Sequence, residues 1–214
     1  MHGSRAATEP VRLPLIRRGV PLAVALALAA FAAGALHAAP SRDTLVRPGL
    51  GVGKVRLGMT VSEVRRAMGR HDIGVAKRLG FGSRRLELTW WSGLADHFIV
   101  QLVGPRGRER VVSIATSRTS ERTATGIGPG VRVSRLLQVY PRARCQTLFP
   151  VGGGTVIGSE FVIDAGNGRE TAFARGKWSG STARPIRPEN DFRNVAEVIV
   201  RTRAARPPAD AQRC

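Results

Sequence analysis

Two histidines lie beyond the first forty residues, and each stands beside an aspartate, as His71-Asp72 and Asp96-His97. A histidine with a carboxylate is a common core of general acid–base sites. Adjacent residues on a strand or helix point in different directions, so neither pair forms a dyad by itself. The chain contains no H-E-x-x-H, G-x-S-x-G, Walker loop or C-x-x-C motif. We therefore expect no catalytic residue, no cofactor and no metal site, and we interpret the protein as not an enzyme.

The two cysteines, Cys145 and Cys214, are the other residues with distinctive chemistry. In an oxidising compartment a pair of cysteines usually forms one disulfide. This bond would close a loop of 214 − 145 = 69 residues. Two free thiols are the alternative, but an exposed terminal thiol outside the cell is a liability, so the sequence favours the disulfide.

The first 38 residues have the pattern of an export signal. Residues 1–18 carry four arginines against one acid, residues 19–36 carry no charge, and small residues follow. This order predicts a signal over residues 1–38, cleaved between residues 35 and 39. An uncleaved anchor is the alternative, since about 18 apolar residues just span a bilayer. Either way we expect a secreted or cell-envelope protein, with membrane contact only through an uncleaved signal.

The chain is strongly basic, with 34 Lys+Arg against 15 Asp+Glu and a formal charge of +19. Removing residues 1–38 takes away four arginines and one glutamate, which leaves 30 − 14 = +16. An exported basic protein is attracted to anionic polymers or membrane surfaces, and salt screens this attraction. We expect envelope material rather than nucleic acid as the anionic partner, because the chain lacks an interleaved aromatic platform.

Residues 39–50 show no periodicity and are predicted to form a flexible lead. Thr60 and Glu63 form a capping box, so a short helix is expected to begin after Thr60 and to end at Gly69. After residue 84 apolar residues alternate with polar ones, which predicts three antiparallel strands up to residue 116.

A similar order follows about 72 residues later, where Gly130 aligns with Gly58 and a second helix is expected before Pro141. Strand-like segments follow this helix up to residue 202. The predicted fold class is therefore α+β, with two related units over residues 51–125 and 126–204, each a short helix packed on a small antiparallel meander. Residues 205–214 form a C-terminal tail.

The first unit resembles a recurring bacterial module. The resemblance is carried by Gly51-x-Gly53, Leu57-Gly58-Met59-Thr60, Glu63-Val64 and Met68-Gly69. This module occurs in small outer-membrane assembly lipoproteins of the BamE type and in the β-lactamase inhibitor protein family, which is similar in having two tandem helix-plus-sheet units. The resemblance covers residues 51–117 and, loosely, 126–202. It implies the fold and a protein-binding surface without catalysis, although the chain lacks the lipid-attachment cysteine and has Arg132 at the second cap.

One sheet face is the candidate binding surface. Leu86, Leu88 and Trp90 are expected to face the core, which leaves Trp91 on the outer face. The residues expected beside it on the next strand are His97, Ile99 and Gln101. A tryptophan among polar residues is a good contact candidate, and Trp178, in the loop 176–191, is a second one. The alternative for each tryptophan is that another part of the chain covers it.

Arg106, Arg108 and Arg110 cluster on one predicted hairpin and form a candidate anion site; the alternative is a solvated basic surface. The first hypothesis for function is an exported, non-enzymatic module that recognises a protein partner through a β-sheet face. The alternative is a basic cell-envelope protein that attaches electrostatically to anionic polymers or a membrane surface.

Overall fold

The computed structural model describes residues 43–92, 96–148, 158–175 and 193–206, and within these ranges the strands form two sheets. The strands of the smaller sheet are β1 (Leu45–Arg47), β2 (Gly51–Val52), β3 (Val55–Arg56) and β8 (Arg122–Thr123). The strands of the larger sheet are β4 (Ile73–Arg78), β5 (Ser83–Ser92), β6 (Asp96–Pro105), β7 (Arg110–Thr116), β9 (Arg144–Leu148), β10 (Gly158–Gly166), β11 (Arg169–Arg175) and β12 (Glu197–Thr202).

The described helices are α1 (Val61–Met68), α2 (Val133–Val139) and one turn of 3-10 helix, Arg203–Ala205. No helix in the described ranges combines the length and the apolar character that crossing a membrane requires. The predicted export signal, Trp178 and Cys214 lie outside the described residues.

The larger sheet has eight antiparallel strands in the order β4-β5-β6-β7-β12-β11-β10-β9. The prediction of two units, each with its own small meander, is therefore wrong. The last strands of the two expected meanders, β7 and β12, pair with each other, with Ile114 opposite Val200. This pairing fuses the two meanders and removes two open edges, whose unpaired backbone groups would otherwise need water or another chain.

The smaller sheet is an element that the sequence did not predict. Its strand β1 falls within residues 39–50, where a flexible lead was expected, and it pairs antiparallel with β2 and parallel with β8. Strands of two or three residues are too short to show a period of two, so the sequence carries no alternation to reveal them.

Helix α1 begins as predicted. Thr60 Oγ1 accepts the backbone N–H of Glu63 at 3.3 Å, and the Glu63 carboxylate accepts the backbone N–H of Thr60 at 2.7 Å. The helix ends at Gly69, whose φ of 77° is in the range that favours glycine. Helix α2 follows Arg132, whose side chain makes no capping hydrogen bond.

The main core lies on one face of the larger sheet. Val64 of α1 and Leu136 of α2 are fully buried in it, together with residues of the smaller sheet such as Val52. The sheet residues of this core include Leu88, Trp90, Phe98, Val100, Leu102, Ile114, Phe173, Val198 and Val200. The predicted inward direction of Leu88 and Trp90 is confirmed, and the opposite face carries a separate apolar cluster around Ile199.

Candidate binding pocket at the end of the central strands

A pocket, here called the strand-end pocket, lies where β6 and β12 begin and β7 ends. Its polar lining residues are Asp96, His97, Ser117, Thr119, Asn194 and Glu197. Its volume is about 230 Å³. Sites for drug-sized molecules usually occupy roughly 300–1,000 Å³. The pocket therefore has room for one side chain or a group of similar size.

The register of the central strands brings the pocket residues together. Thr116 lies opposite Phe98 on one side and opposite Val198 on the other. In antiparallel pairs, the residue after Thr116 therefore meets the residues that precede Phe98 and Val198. These residues are Ser117, His97 and Glu197.

His97 is held by hydrogen bonds at both ring nitrogens. Its Nε2 lies 2.8 Å from Glu197 Oε1, and its Nδ1 lies 3.2 Å from Ser117 Oγ. Ser117 Oγ also accepts the backbone N–H of His97 at 2.9 Å. The tautomer that carries its proton on Nε2 satisfies both contacts, because it donates to Glu197 and accepts the hydroxyl proton of Ser117.

Glu197 is a buried acid with an unusual environment. Only 2% of its surface is exposed, and this burial raises its pKa. The hydrogen bond and charge of His97 lower the pKa in part, whereas the nearby Glu160 and Glu87 raise it further. Within the part of the chain that the structure describes, Glu197 Oε2 has no hydrogen-bond partner. A hydrogen-bond donor or a positive charge near this carboxyl group would stabilise its ionised form.

Further acids lie at the same end of the sheet. Burial raises the pKa of Glu121, Thr116 and Arg118 lower it in part, and the charge of Asp96 raises it. Arg118 lies 3.9 Å from Glu121 and offsets its charge, whereas Asp96 and Glu197 line the pocket.

The charge of the pocket is opposite to that of the chain. The sequence has 34 Lys+Arg and 15 Asp+Glu. Among the described residues that line the pocket, two are acids, Asp96 and Glu197, and none is a lysine or arginine. The arrangement therefore favours a cationic group such as an ammonium or a guanidinium.

Trp91 lies beside the pocket. It is paired with His97 across β5 and β6, and the two rings meet edge to face with centroids 5.7 Å apart. Asp72 Oδ2 accepts the backbone N–H of Trp91 at 2.7 Å, which fixes this end of β5. The Trp91 side chain remains 45% exposed, so it offers a rigid aromatic surface next to His97.

The other predicted binding residues do not line the pocket. Ile99 and Gln101 lie on the predicted outer face, since Thr89 lies opposite Ile99 and Glu87 opposite Gln101. However, His97 and Ile99 are only 6% exposed, and Gln101 is half-buried with its Nε2 donating to Glu87 at 3.1 Å. The exposed Arg106, Arg108 and Arg110 lie at the opposite end of β6 and β7.

Of the six polar lining residues only His97 was predicted as a binding residue, and three of the others, Asp96, Ser117 and Glu197, carry the argument here. Asp96 was noted only as a neighbour of His97, and the other two meet His97 through pairings with strands farther along the chain. In the described ranges no group of three His, Cys, Asp or Glu side chains is arranged to hold a metal ion.

No family model matches the chain, and no curated protein or solved structure shows significant similarity to it. The resemblance to the BamE-type and β-lactamase-inhibitor-protein families therefore stays a prediction, and the assignment of function depends on the geometry of the site.

Proposed function

We propose that the protein is an exported, non-enzymatic binding protein that recognises a protein partner at the end of the sheet that carries Trp91. One basic side chain of the partner enters the strand-end pocket, and Trp91 packs against the partner beside it. The observation that carries the proposal is the acidic lining of this small pocket in a chain of charge +19.

The energetics of interfaces support this arrangement. A few residues carry most of the binding free energy of a protein interface, and buried aromatic and arginine side chains are prominent among them, at roughly 2 kcal/mol or more each. An ammonium or guanidinium group would donate hydrogen bonds to Asp96 and bring a positive charge near Glu197. Trp91 supplies a large contact area with little loss of side-chain freedom.

A peptide selection tests the proposal directly. Random peptides displayed on phage would be selected on the immobilised full chain at physiological ionic strength. We expect the selected peptides to share a lysine or arginine, although the net charge of the protein repels cationic peptides. Their affinity, measured by calorimetry, should fall about tenfold or more for Asp96→Asn and for Trp91→Ala.

Leu137→Ala is the matched control, because Leu137 is an exposed apolar residue on α2 that does not line the pocket. It should leave the affinity unchanged. Selected peptides without a basic residue, or equal affinity for Asp96→Asn and the unaltered protein, would rule out the proposed pocket.

A second candidate function is acyl transfer, and the contact between Ser117 and His97 favours it. A hydroxyl group next to an imidazole that a carboxylate orients is the arrangement of serine hydrolases. If Ser117 acts as a nucleophile, a fluorophosphonate probe should label it, and Ser117→Ala should abolish the labelling. Absence of labelling would leave Ser117 Oγ with its structural role as acceptor of the His97 backbone N–H.

A further inference from the structure

The hairpin between β4 and β5 presents a phenylalanine at its tip. The tip residues are Gly80, Phe81 and Gly82, and the hairpin is closed by the N–H of Leu79, which donates to the carbonyl of Ser83 at 2.8 Å. Phe81 is fully exposed and has a φ of 59°, a conformation uncommon for a residue other than glycine. The ring therefore contributes no buried surface to the fold, and its whole apolar surface is available for contact with a ligand.

The hairpin tip lies within a strongly cationic surface. Ser83 pairs with Pro105, so the β4–β5 tip and the β6–β7 tip are neighbours at the same end of the sheet. The cationic residues of these two hairpins are Lys77, Arg78, Arg84, Arg85, Arg106, Arg108 and Arg110. Two acids stand against these seven cations: Glu109, which is buried and paired with Arg84, and Glu63, which is bound to Thr60 beside Arg110. The charge of this group is therefore 7 − 2 = +5.

We infer that this end of the sheet, the Phe81 end, binds an anionic lipid membrane surface. Phe81 enters the boundary between lipid headgroups and acyl chains, and the surrounding cations contact the headgroups. A basic surface with an apolar aromatic residue is suited to this boundary, where each cation adds attraction to anionic lipid. An anionic polymer would match the charges but would offer no apolar layer for the Phe81 ring.

This inference is independent of the strand-end pocket. Strand β6 runs from Asp96, which lines the pocket, to Pro105, which lies next to the Phe81 end. At about 3.3 Å per residue, its ten residues separate the two sites by roughly 30 Å. A membrane bound at one end therefore leaves the pocket accessible to a partner.

Photo-crosslinking tests the inference at the level of one residue. p-Benzoylphenylalanine would replace Phe81 in the full chain, and the protein would be irradiated with vesicles of one part phosphatidylglycerol and two parts phosphatidylcholine. The matched control carries the same group in place of Trp91, at the opposite end of β5. Both proteins contain the same apolar N-terminal segment, so any membrane binding by that segment would affect them equally.

We expect lipid adducts at position 81 and far fewer at position 91. The yield of adducts at position 81 should fall about fivefold for Arg106→Ser and again for Arg108→Ser. With vesicles of phosphatidylcholine alone, the yield for the unaltered arginines should fall by at least about fivefold as well. Equal adducts at positions 81 and 91, or equal adducts with anionic and neutral vesicles, would overturn the inference. Neither result would affect the proposed pocket, whose test uses no lipid.

Discussion

At the scale of single residues, stability depends on a group of buried charged side chains on the face of the larger sheet that does not carry the main core. Arg201 is 2% exposed, and Glu160 and Glu170 are fully buried. Arg201 Nε donates to Glu170 at 2.7 Å, and its guanidinium also contacts the Glu160 carboxylate. Burial raises the pKa of Glu170, but hydrogen bonds from Arg206 and Arg201 outweigh it, so the net shift is downward. The network is stable only while each buried carboxylate keeps its cationic partner.

We predict that Arg201→Met destabilises the fold by about 3–5 kcal/mol at neutral pH, because Glu160 and Glu170 lose the partner that they share. Unfolding in urea measures this difference. The matched control is Arg203→Met, which removes an exposed arginine that pairs with Asp164 at the surface and should cost below about 1 kcal/mol.

The lowered pKa of Glu170 also predicts how the destabilisation by Arg201→Met changes with pH. Because the pKa of Glu170 is lower in the folded protein than in the unfolded chain, its ionised carboxylate stabilises the fold at pH values above its pKa in the unfolded chain. This stabilisation is lost as the pH falls through the pKa of Glu170 in the folded protein. The difference between Arg201→Met and the unaltered protein should therefore shrink at low pH. If Arg201→Met and Arg203→Met lower the free energy of unfolding equally, the buried ion pairs stabilise the fold no more than the surface pair does.

Glu197 should have the opposite pH dependence. Burial raises its pKa, so its contribution to stability is fully present below the unfolded pKa and is lost as the pH rises through the folded pKa. Glu197→Gln cannot ionise and keeps an oxygen that can accept from His97. We predict that this variant is about 1 kcal/mol more stable than the unaltered protein at neutral pH, and that the gain disappears near pH 4.

Thermal or urea unfolding over a range of pH would measure the gain. Asp43→Asn serves as the control, because Asp43 is a mostly exposed acid in a surface pair with Lys54. A Glu197→Gln variant that is less stable at neutral pH would mean that the ionised pair of Glu197 and His97 is favourable in spite of its burial.

At the scale of elements, the two helices differ in how they begin. Thr60 caps α1 with its side chain, whereas Arg132 has extended backbone angles suited to a cap (φ −62°, ψ 139°) but makes no such hydrogen bond. We predict that Arg132→Ser stabilises the fold by about 1 kcal/mol, because serine can accept a backbone N–H of the first turn.

The comparison for this prediction comes from α1. Thr60→Ala should lower the free energy of unfolding by a similar amount, and Thr60→Ser should leave it nearly unchanged. If Arg132→Ser gives no gain in urea unfolding, the first turn of α2 is already satisfied without a side-chain cap.

Local patterns predicted some elements of this fold but not their assembly. The capping box identified α1, and the period of two identified β5 and its inward residues. Strand β4 escaped prediction because all six of its residues are exposed at a sheet edge, so it needs no alternation between apolar and polar positions. The pairing of β7 with β12 joins residues more than 80 positions apart, such as Ile114 and Val200, and no local signal specifies it.

The same reasoning applies to the site. His97 and Trp91 could be predicted because both lie in one strongly alternating hairpin. Ser117 and Glu197 could not, because their proximity to His97 depends on the register between strands. A sequence pattern can place a residue on a face, but it cannot say which distant strand will supply its hydrogen-bond partner.

At the scale of the whole molecule, the two ends of the larger sheet differ in charge. One end carries the acidic strand-end pocket, and the other carries the cations around Phe81. The net charge of +19 therefore describes only the average of the surface. A basic protein can attach to an anionic membrane through one end and still select a cationic group at the other, because salt screens exposed charges beyond roughly 8 Å.

The proposed disulfide would close a loop of 69 residues with a covalent bond. Cys145 lies in β9, opposite Phe161 of β10, and packs against the main core. Its pairing with Cys214 stays a prediction, because Cys214 lies outside the described residues. We predict one disulfide in the oxidised protein, and that its reduction costs about 4 kcal/mol through the entropy gained by the unfolded chain.

Peptide mapping without reductant would identify a linked pair of peptides that contain Cys145 and Cys214, and urea unfolding with and without reductant would give the cost. Cys214→Ser should behave like the reduced protein, because either change opens the 69-residue loop. Two titratable thiols in the oxidised protein, with no effect of reductant on stability, would contradict the prediction. The C-terminal residue would then place no constraint on the edge strand β9.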